Sequence, residues 1–361
     1  MVHPANAGGM SAASAAPGGI DPAGPEAHER FGADELAIAC SHYELGVIHA
    51  VVPFRRGSRR SPKVVLETSR GRLLLKRRAA GQADVGRVTF AHAVIDRLTG
   101  RGVPAARLIR TRDGRGCARI GDRLYEMFEF VQGVRYDRSI VATQAAGQTL
   151  AALHRAVALS TPPGRPQEGT YHAAAIVRRS LEELAANGDA AAASLGLLYE
   201  RAGARAADEG FNAWPRQVIH SDFHPGNLVF AAQGDVRRSR VLAVLDFDAC
   251  RLGPRALDIA NGAAQFAVTR SGDRPEAWPV ELDRRRLGAF LTGYDTSPDA
   301  VLSRAELRAL PWMMIEAIIA EAAVPVATTG RFGPIDGSVF LGLVAKKTGW
   351  IESHAAELSE L

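Results

Sequence analysis

Between Val47 and about Phe130 the chain runs through short β-type stretches, VIHAVV, KVVLET, GRLLLKRR and RLYEMFEFV, separated by glycine turns. Such runs of β-branched and aromatic residues predict strands, whereas Val85 to Leu98 has helical spacing. Beyond Gly133 the period lengthens. In VATQAAGQTLAALHRAV, Ala146, Leu150, Leu153 and Val157 share one helical face, and further helices are predicted over roughly 173–208, 256–269, 281–293, 303–323 and 337–357. One stretch breaks the series. IHSDFHPGNLVF (219–230) is apolar at both ends, but Pro225 and Gly226 cannot continue a ladder, which predicts a polar loop between two short strands of a hairpin. A further strand from Val241 to Cys250 ends on Asp246 and Asp248. The expected architecture is α+β, with a five-strand first lobe, a mainly helical second lobe and a cleft between them.

Composition narrows this picture. A chain of 361 residues with 47% hydrophobic content can bury a large core and exceeds the usual size of one domain. The expected divisions are a disordered tail at 1–33, a first lobe at 34–132 and a helical lobe at 133–361. The opening stretch is rich in Ala, Gly, Pro and Ser, without the apolar run of a signal peptide or anchor, and Met10 is a candidate start. No later uninterrupted apolar run is read as membrane-spanning. Three scattered cysteines, Cys40, Cys117 and Cys250, argue against a disulfide framework and a structural zinc site, and fit a reducing cytoplasm. The net charge of +5 is spread along the chain, with one cluster at Arg55, Arg56, Arg59, Arg60 and Lys63. Without a docking motif or interleaved aromatics, no nucleic-acid partner is expected. Oligomeric state is not legible.

The polar loop carries the chemistry. Asp222, Asn227 and Asp246 are expected to converge, and oxygen donors without cysteine suit Mg2+ shared with substrate phosphates. A separate carboxylate nearby can accept a proton from an attacking hydroxyl, which completes the parts phosphoryl transfer requires. Asp and Asn also form ordinary turns, and His220 with His224 has the spacing of a zinc pair. That spacing brings ligands together on a helix, against which Pro225 argues.

In its motifs the chain resembles the protein-kinase-like phosphotransferases, specifically the aminoglycoside phosphotransferase and choline kinase group. His220-Ser221-Asp222-Phe223-His224-Pro225-Gly226-Asn227 matches their H-x-D-x-x-x-x-N loop, and Asp246-Phe247-Asp248 the D-x-D that follows. The resemblance implies a two-lobe kinase-like fold with an ATP cleft, and ATP and Mg2+ as cofactors. By carry-over Asp222 is the base, His220 shapes the catalytic loop, Asn227 and Asp246 hold the metal, and Asp258 of GPRALDIAN braces the loop. Asp248 is either a second metal ligand or a strand terminator. Lys76, one of only four lysines, corresponds to the lysine that holds the nucleotide phosphates. Gly57 and Ser58 of PFRRGSRRSPK would offer N–H groups to phosphate, and Glu129 and Val131 of YEMFEFVQG would read the adenine edge through their backbone. One feature departs from the family. Where its first-lobe helix carries a glutamate for the lysine, this chain has Ala91 or His92, and Asp96 is the nearest acid.

The implied reaction is transfer of a γ-phosphoryl group to a hydroxyl of a small molecule; a protein Ser/Thr kinase and a nucleotide-binding module without turnover are the alternatives. In LPWMMIEAIIAEAAVPVATTGRF, the expected buried face is Trp312, Ile315, Ile319 and Ala322. Glu316 or Glu321, with Asp248, would then form an acidic pocket for an amine-bearing acceptor.

Overall fold

The computed structural model describes residues 29–54, 60–79, 81–232, 239–272, 274–296 and 301–361. Gly57 and Ser58 lie outside them. The first part has a helix α1 (Ala33–Ser41) and strands β1 (Ile48–Phe54), β2 (Lys63–Thr68), β3 (Gly71–Arg77), β4 (Leu108–Ile109), β5 (Cys117–Ile120) and β6 (Arg123–Glu129). They make a six-stranded antiparallel sheet in the order β1-β2-β3-β6-β4, with β5 also on β6. Side chains alternate across a strand. Leu73, Leu75, Tyr125 and Met127 therefore pack with Ala39 and Cys40 of α1, while Lys76 and Glu126, direct partners across β3 and β6, point to the opposite face. Helix α2 (Val85–Gly100) begins on Asp84, whose carboxylate caps Arg87 N–H.

The helical part comprises α3 (Ile140–Val157), α4 (Ala175–Ala186), α5 (Ala192–Asp208), α6 (Ala256–Ala267), α7 (Arg284–Asp295), α8 (Arg304–Thr329), α9 (Gly337–Ser353) and the short α10 (Ala355–Leu358). All four residues expected on the inner face of α3 are buried. The expected helix over 173–208 is two, because the chain turns at Asn187 and Gly188, the latter with φ 88°. Helices α3 and α7 approach closely, since a Cβ on Gly147 would lie 2.1 Å from Phe290 O.

Helix α8 departs most from expectation. It runs through Pro311 and Pro325 to Gly330, where φ 71° ends it. It packs against α4, α5, α6 and α9, so Met313, Met314 and Glu316 are as buried as Ile315, Ile319 and Ala322, while Trp312 is only half-buried. By length and composition α8 could cross a membrane, contrary to the sequence reading, but 67% of its most apolar window is buried inside the protein. The single hairpin expected around the polar loop is instead two nested pairs. Strand β7 (Gln217–Ile219) pairs with β10 (Arg251–Gly253), and β8 (Leu228–Phe230) pairs with β9 (Val241–Val244). This nesting brings the β7–β8 loop beside the β9–β10 turn. A last pair, β11 (Arg331–Phe332) and β12 (Ile335–Asp336), precedes α9.

Candidate active site

The β7–β8 loop is anchored from below by Asp258, a fully buried residue in the first turn of α6. Its Oδ2 accepts His220 N–H and its Oδ1 accepts Ser221 N–H, each at 2.6 Å, while His154 Nε2 lies 3.0 Å from Oδ2. Burial opposes the carboxylate's charge, but the bond from His154 and these further contacts hold its pKa below the usual range. His154 Nδ1 in turn meets Tyr294 Oη at 2.8 Å. At Ser221 the backbone turns left-handed, φ 64°, and Asp222 N–H comes back to His220 Nδ1 at 3.2 Å. The other ring nitrogen, Nε2, donates to Leu245 O at 3.0 Å, which fixes the tautomer. Both nitrogens of this fully buried ring are thus spent, Nδ1 on closing the loop upon itself and Nε2 on tying it to the end of β9. His220, expected to shape the catalytic loop, braces it through these contacts.

Asp222 is half-buried at the loop tip. Asn227 Nδ2 donates to its backbone O and to Oδ2, both at 2.9 Å, orienting the carboxylate and leaving Asn227 Oδ1 as the atom that could meet a cation. His224 Nε2 lies 3.5 Å from Asp222 Oδ1. Two influences on this ring pull apart. Burial opposes its charge, and Asp222 outweighs burial to raise its pKa. Yet Nδ1 accepts Gly226 N–H at 3.0 Å, so the bonded geometry keeps the proton on Nε2, towards Asp222.

Opposite this loop, Asp246 takes φ 60° and presents Oδ1 to Lys76 Nζ at 3.1 Å. The Lys76 charge holds the Asp246 pKa below the usual range against burial, with help from Lys63. Lys76 is itself buried; loss of hydration works against its charge, and Asp246 and Asp248 outweigh it, raising its pKa. Asp248, read as a second metal ligand or a terminator, has both oxygens engaged: Oδ2 by Lys76 Nζ at 2.7 Å and Oδ1 by Arg78 Nη2 at 2.5 Å. Arg78 Nε also lies 2.8 Å from Glu126 Oε2, and His92 Nε2 meets Glu126 Oε1 at 2.6 Å. Burial pushes the Glu126 carboxyl up, but Arg78, His92 and Lys76 bring it down to about 2. Asp96 does not replace the helix glutamate, for it is exposed and pairs with Arg110.

Two further expectations concern the ends of the cleft. Glu129 N–H donates to Arg107 O at 2.8 Å and Phe130 N–H to Arg72 O at 3.0 Å, which fixes the segment expected to read the adenine edge. Val131, the other expected adenine contact, follows directly and is half-buried. Glu316 is removed from the acceptor pocket. It is fully buried, accepting from His172 Nδ1 at 2.7 Å and Ala173 N–H at 2.9 Å, and so serves packing between α8 and the segment before α4. Glu321 is different. Solvent reaches it, yet lost hydration raises its pKa, with His224 and Arg270 pulling down and Asp222 pushing up. Its carboxylate accepts from Gln265 Nε2, and Arg270 stacks on Trp278. A separate cavity of about 790 Å3, lined by Arg101, Gln144, Gln148, Arg155 and Arg240, contains none of these residues.

The donor set fits a hard cation. Asp246 and Asn227 offer oxygens only, and among the described residues no group of three His, Cys, Asp or Glu forms a closed cage. Such a site suits Mg2+, which keeps waters and shares its coordination with phosphates. A sheet bearing a buried lysine above a braced Asp-Asn loop defines a kinase-like phosphotransferase. Residues 51–309 match the profile of the phosphotransferase enzyme family, and the chain belongs to that family. A homoserine kinase of Caulobacter sp. (strain K31) is 29% identical over 77% of this chain and 81% of its own length. The structure of a microcompartment-associated aminopropanol kinase superposes with TM-score 0.68 at 18% identity, covering 91% of this chain and 99% of that one. An aminoglycoside phosphotransferase from Alicyclobacillus acidocaldarius gives TM-score 0.65 at 19% identity, covering 90% and 95%. The protein is an ATP-dependent phosphotransferase that acts on a hydroxyl group of a small molecule.

Proposed function

We propose that the acceptor is a small hydroxylated amine, and that Asp222 takes the proton from its hydroxyl. The carrying observation is the position of Asp222 at the tip of the loop braced by Asp258, where Asn227 Nδ2 holds its backbone O and its Oδ2 at 2.9 Å and His224 Nε2 lies 3.5 Å from Oδ1. Its carboxylate is thus fixed and half-exposed on the loop that faces the Lys76–Asp246 pair. Bound Mg-ATP would supply the phosphoryl group, with Asp246 and Asn227 holding the metal. Lys76 neutralises phosphate charge, and the Glu129 carbonyl and Val131 N–H receive the adenine edge. Asn227 holds Oδ2 and keeps Asp222 aimed, so Oδ1, which faces His224 Nε2 at 3.5 Å, can accept the hydroxyl proton as the oxygen attacks in line.

Glu321 suits an ammonium group, because pairing relieves the repulsion it shares with Asp222. Arg270 adds a positive charge beside it, which suits an acceptor that also bears a carboxylate. The relatives named as homoserine kinase and aminopropanol kinase support hydroxylated amines as the class. The test is ADP release with matched panels of amino alcohols, hydroxy amino acids, neutral sugars and hydroxy acids. A hydroxylated amine is expected to turn over best, and Asp222→Asn to lower kcat by about 10²-fold or more while nucleotide affinity stays near wild type. A neutral sugar as the best acceptor, with Glu321→Gln silent, would remove the acceptor assignment; full turnover by Asp222→Asn would remove the base.

A further inference from the structure

The family's lysine ordinarily leans on a glutamate from the first-lobe helix, and here that helix offers none. The structure instead shows a buried series of alternating charge. Lys76 Nζ bonds Asp248 Oδ2 at 2.7 Å, Asp248 Oδ1 accepts from Arg78 at 2.5 Å, Arg78 pairs with Glu126 at 2.8 Å, and Glu126 meets His92 at 2.6 Å. Lys76, Arg78, His92 and Glu126 are each no more than 6% exposed, so these pairs are little screened. The register explains the grouping. Lys76 and Arg78 are two residues apart on one face, and Glu126 is the cross-strand partner of Lys76. His92 stands where the helix glutamate is missing, and α2 packs on the turn Phe247–Ala249 that carries Asp248.

We propose that Asp248 and Arg78, held by Glu126 and His92, are the positioning residues for Lys76, in place of the helix glutamate, and that Asp248 is not a metal ligand. Both Asp248 oxygens are taken by protein cations, whereas Asp246 gives Lys76 only Oδ1, at the longer distance of 3.1 Å. By drawing Lys76 to itself, Asp248 spares Asp246 for the metal. Without Asp248, Lys76 would fall back on Asp246 and be displaced from the phosphates, while Arg78 would lose one of its two carboxylates.

This inference rests on the reading that Lys76 holds nucleotide phosphates, and calorimetry with ATP and with adenosine, each in Mg2+, tests the two separately. Lys76→Ala must first weaken ATP and leave adenosine unchanged; equal losses would sink the nucleotide reading and the clamp with it. Given that behaviour, Asp248→Asn and Arg78→Gln are each expected to weaken ATP about tenfold, the scale of one charge-assisted hydrogen bond, with adenosine within about twofold. The double variant should be no worse than the weaker single one, because both act on one element. Arg78→Lys, which keeps the charge but cannot reach Asp248 and Glu126 as a fork, should lose part of the effect and serves where Arg78→Gln does not fold. If Asp248→Asn instead raises the Mg2+ concentration needed for half-saturation while the Arg78 variants leave ATP affinity unmoved, Asp248 is a metal ligand and the clamp is wrong. Additive losses in the double variant would also overturn it.

Discussion

Ser221 carries a β-carbon at φ 64° one residue before the proposed base, and Asp246 does the same at φ 60° on the facing turn. A side chain in the left-handed region costs about 1–2 kcal/mol, and glycine removes that strain while adding about 0.5–1 kcal/mol of chain entropy. Ser221→Gly is therefore expected to stabilise the fold by about 0.5–1 kcal/mol and to leave the nucleotide KM unchanged, because Asp258 grips the backbone N–H and not the hydroxyl. A lower denaturation midpoint would show that the Ser221 side chain contributes more than it strains. Asp246 has no such option, since its carboxylate is the group that meets Lys76. The loop residues were legible from sequence because they are contiguous and their types are chemically narrow. Arg78, Glu126 and His92 were not, because their meeting depends on which residues of β3 and β6 stand opposite each other. Glu126 lies 50 positions from Lys76, and only the sheet register joins them.

Helix α8 shows where pattern reading ends at the scale of an element. Periodicity finds a helix with one wet face, and it placed α2, α3 and α6 within a few residues. It also found the four longer strands of the sheet, one short of the five expected, but not α1 or the short strands β4 and β5, which are too short to show a period. For a helix enclosed by α4, α5, α6 and α9 there is no polar face to read, so Glu316 and Glu321 looked equivalent although one is fully buried and the other meets water. The two are expected to respond differently. Glu316→Gln loses the charge that His172 and Ala173 N–H address, and should cost about 1–3 kcal/mol of stability with acceptor KM unchanged. Glu321→Gln should leave thermal stability at neutral pH no lower than wild type and raise KM for an amine-bearing acceptor several-fold. Thermal melts alongside steady-state kinetics distinguish them, and a shared phenotype would contradict the separation.

Across the whole molecule, the sheet and the helical part are joined by ionised carboxylates, from Glu126 through Lys76 to Asp246 and Asp248, with Asp258 beneath the loop. Glu126 is held down to about 2, and Asp246 and Asp258 are held below their ordinary range. A carboxylate with a depressed native pKa binds fewer protons folded than unfolded, so its contribution is complete above the unfolded value and is lost as pH falls through the folded one. For Glu126 that window runs from 4.5 down to about 2. Glu321 and Asp295 are raised by burial and act in the opposite sense, each weighing against the fold at neutral pH and relieving it as they protonate. The depressed groups are the more numerous and lie in the joints between parts, so acidification from pH 5 to pH 3 is expected to lower Tm. Glu126→Gln should start from a lower Tm, because Arg78 and His92 lose their charged partner, and should then fall less steeply over the same interval, because the group that takes up the proton is gone. Melting curves of both proteins at half-unit steps measure the two slopes directly. Parallel slopes would mean that the native fold does not depress the Glu126 pKa, and that the charge series it belongs to is not the one that ties the sheet to the catalytic loop.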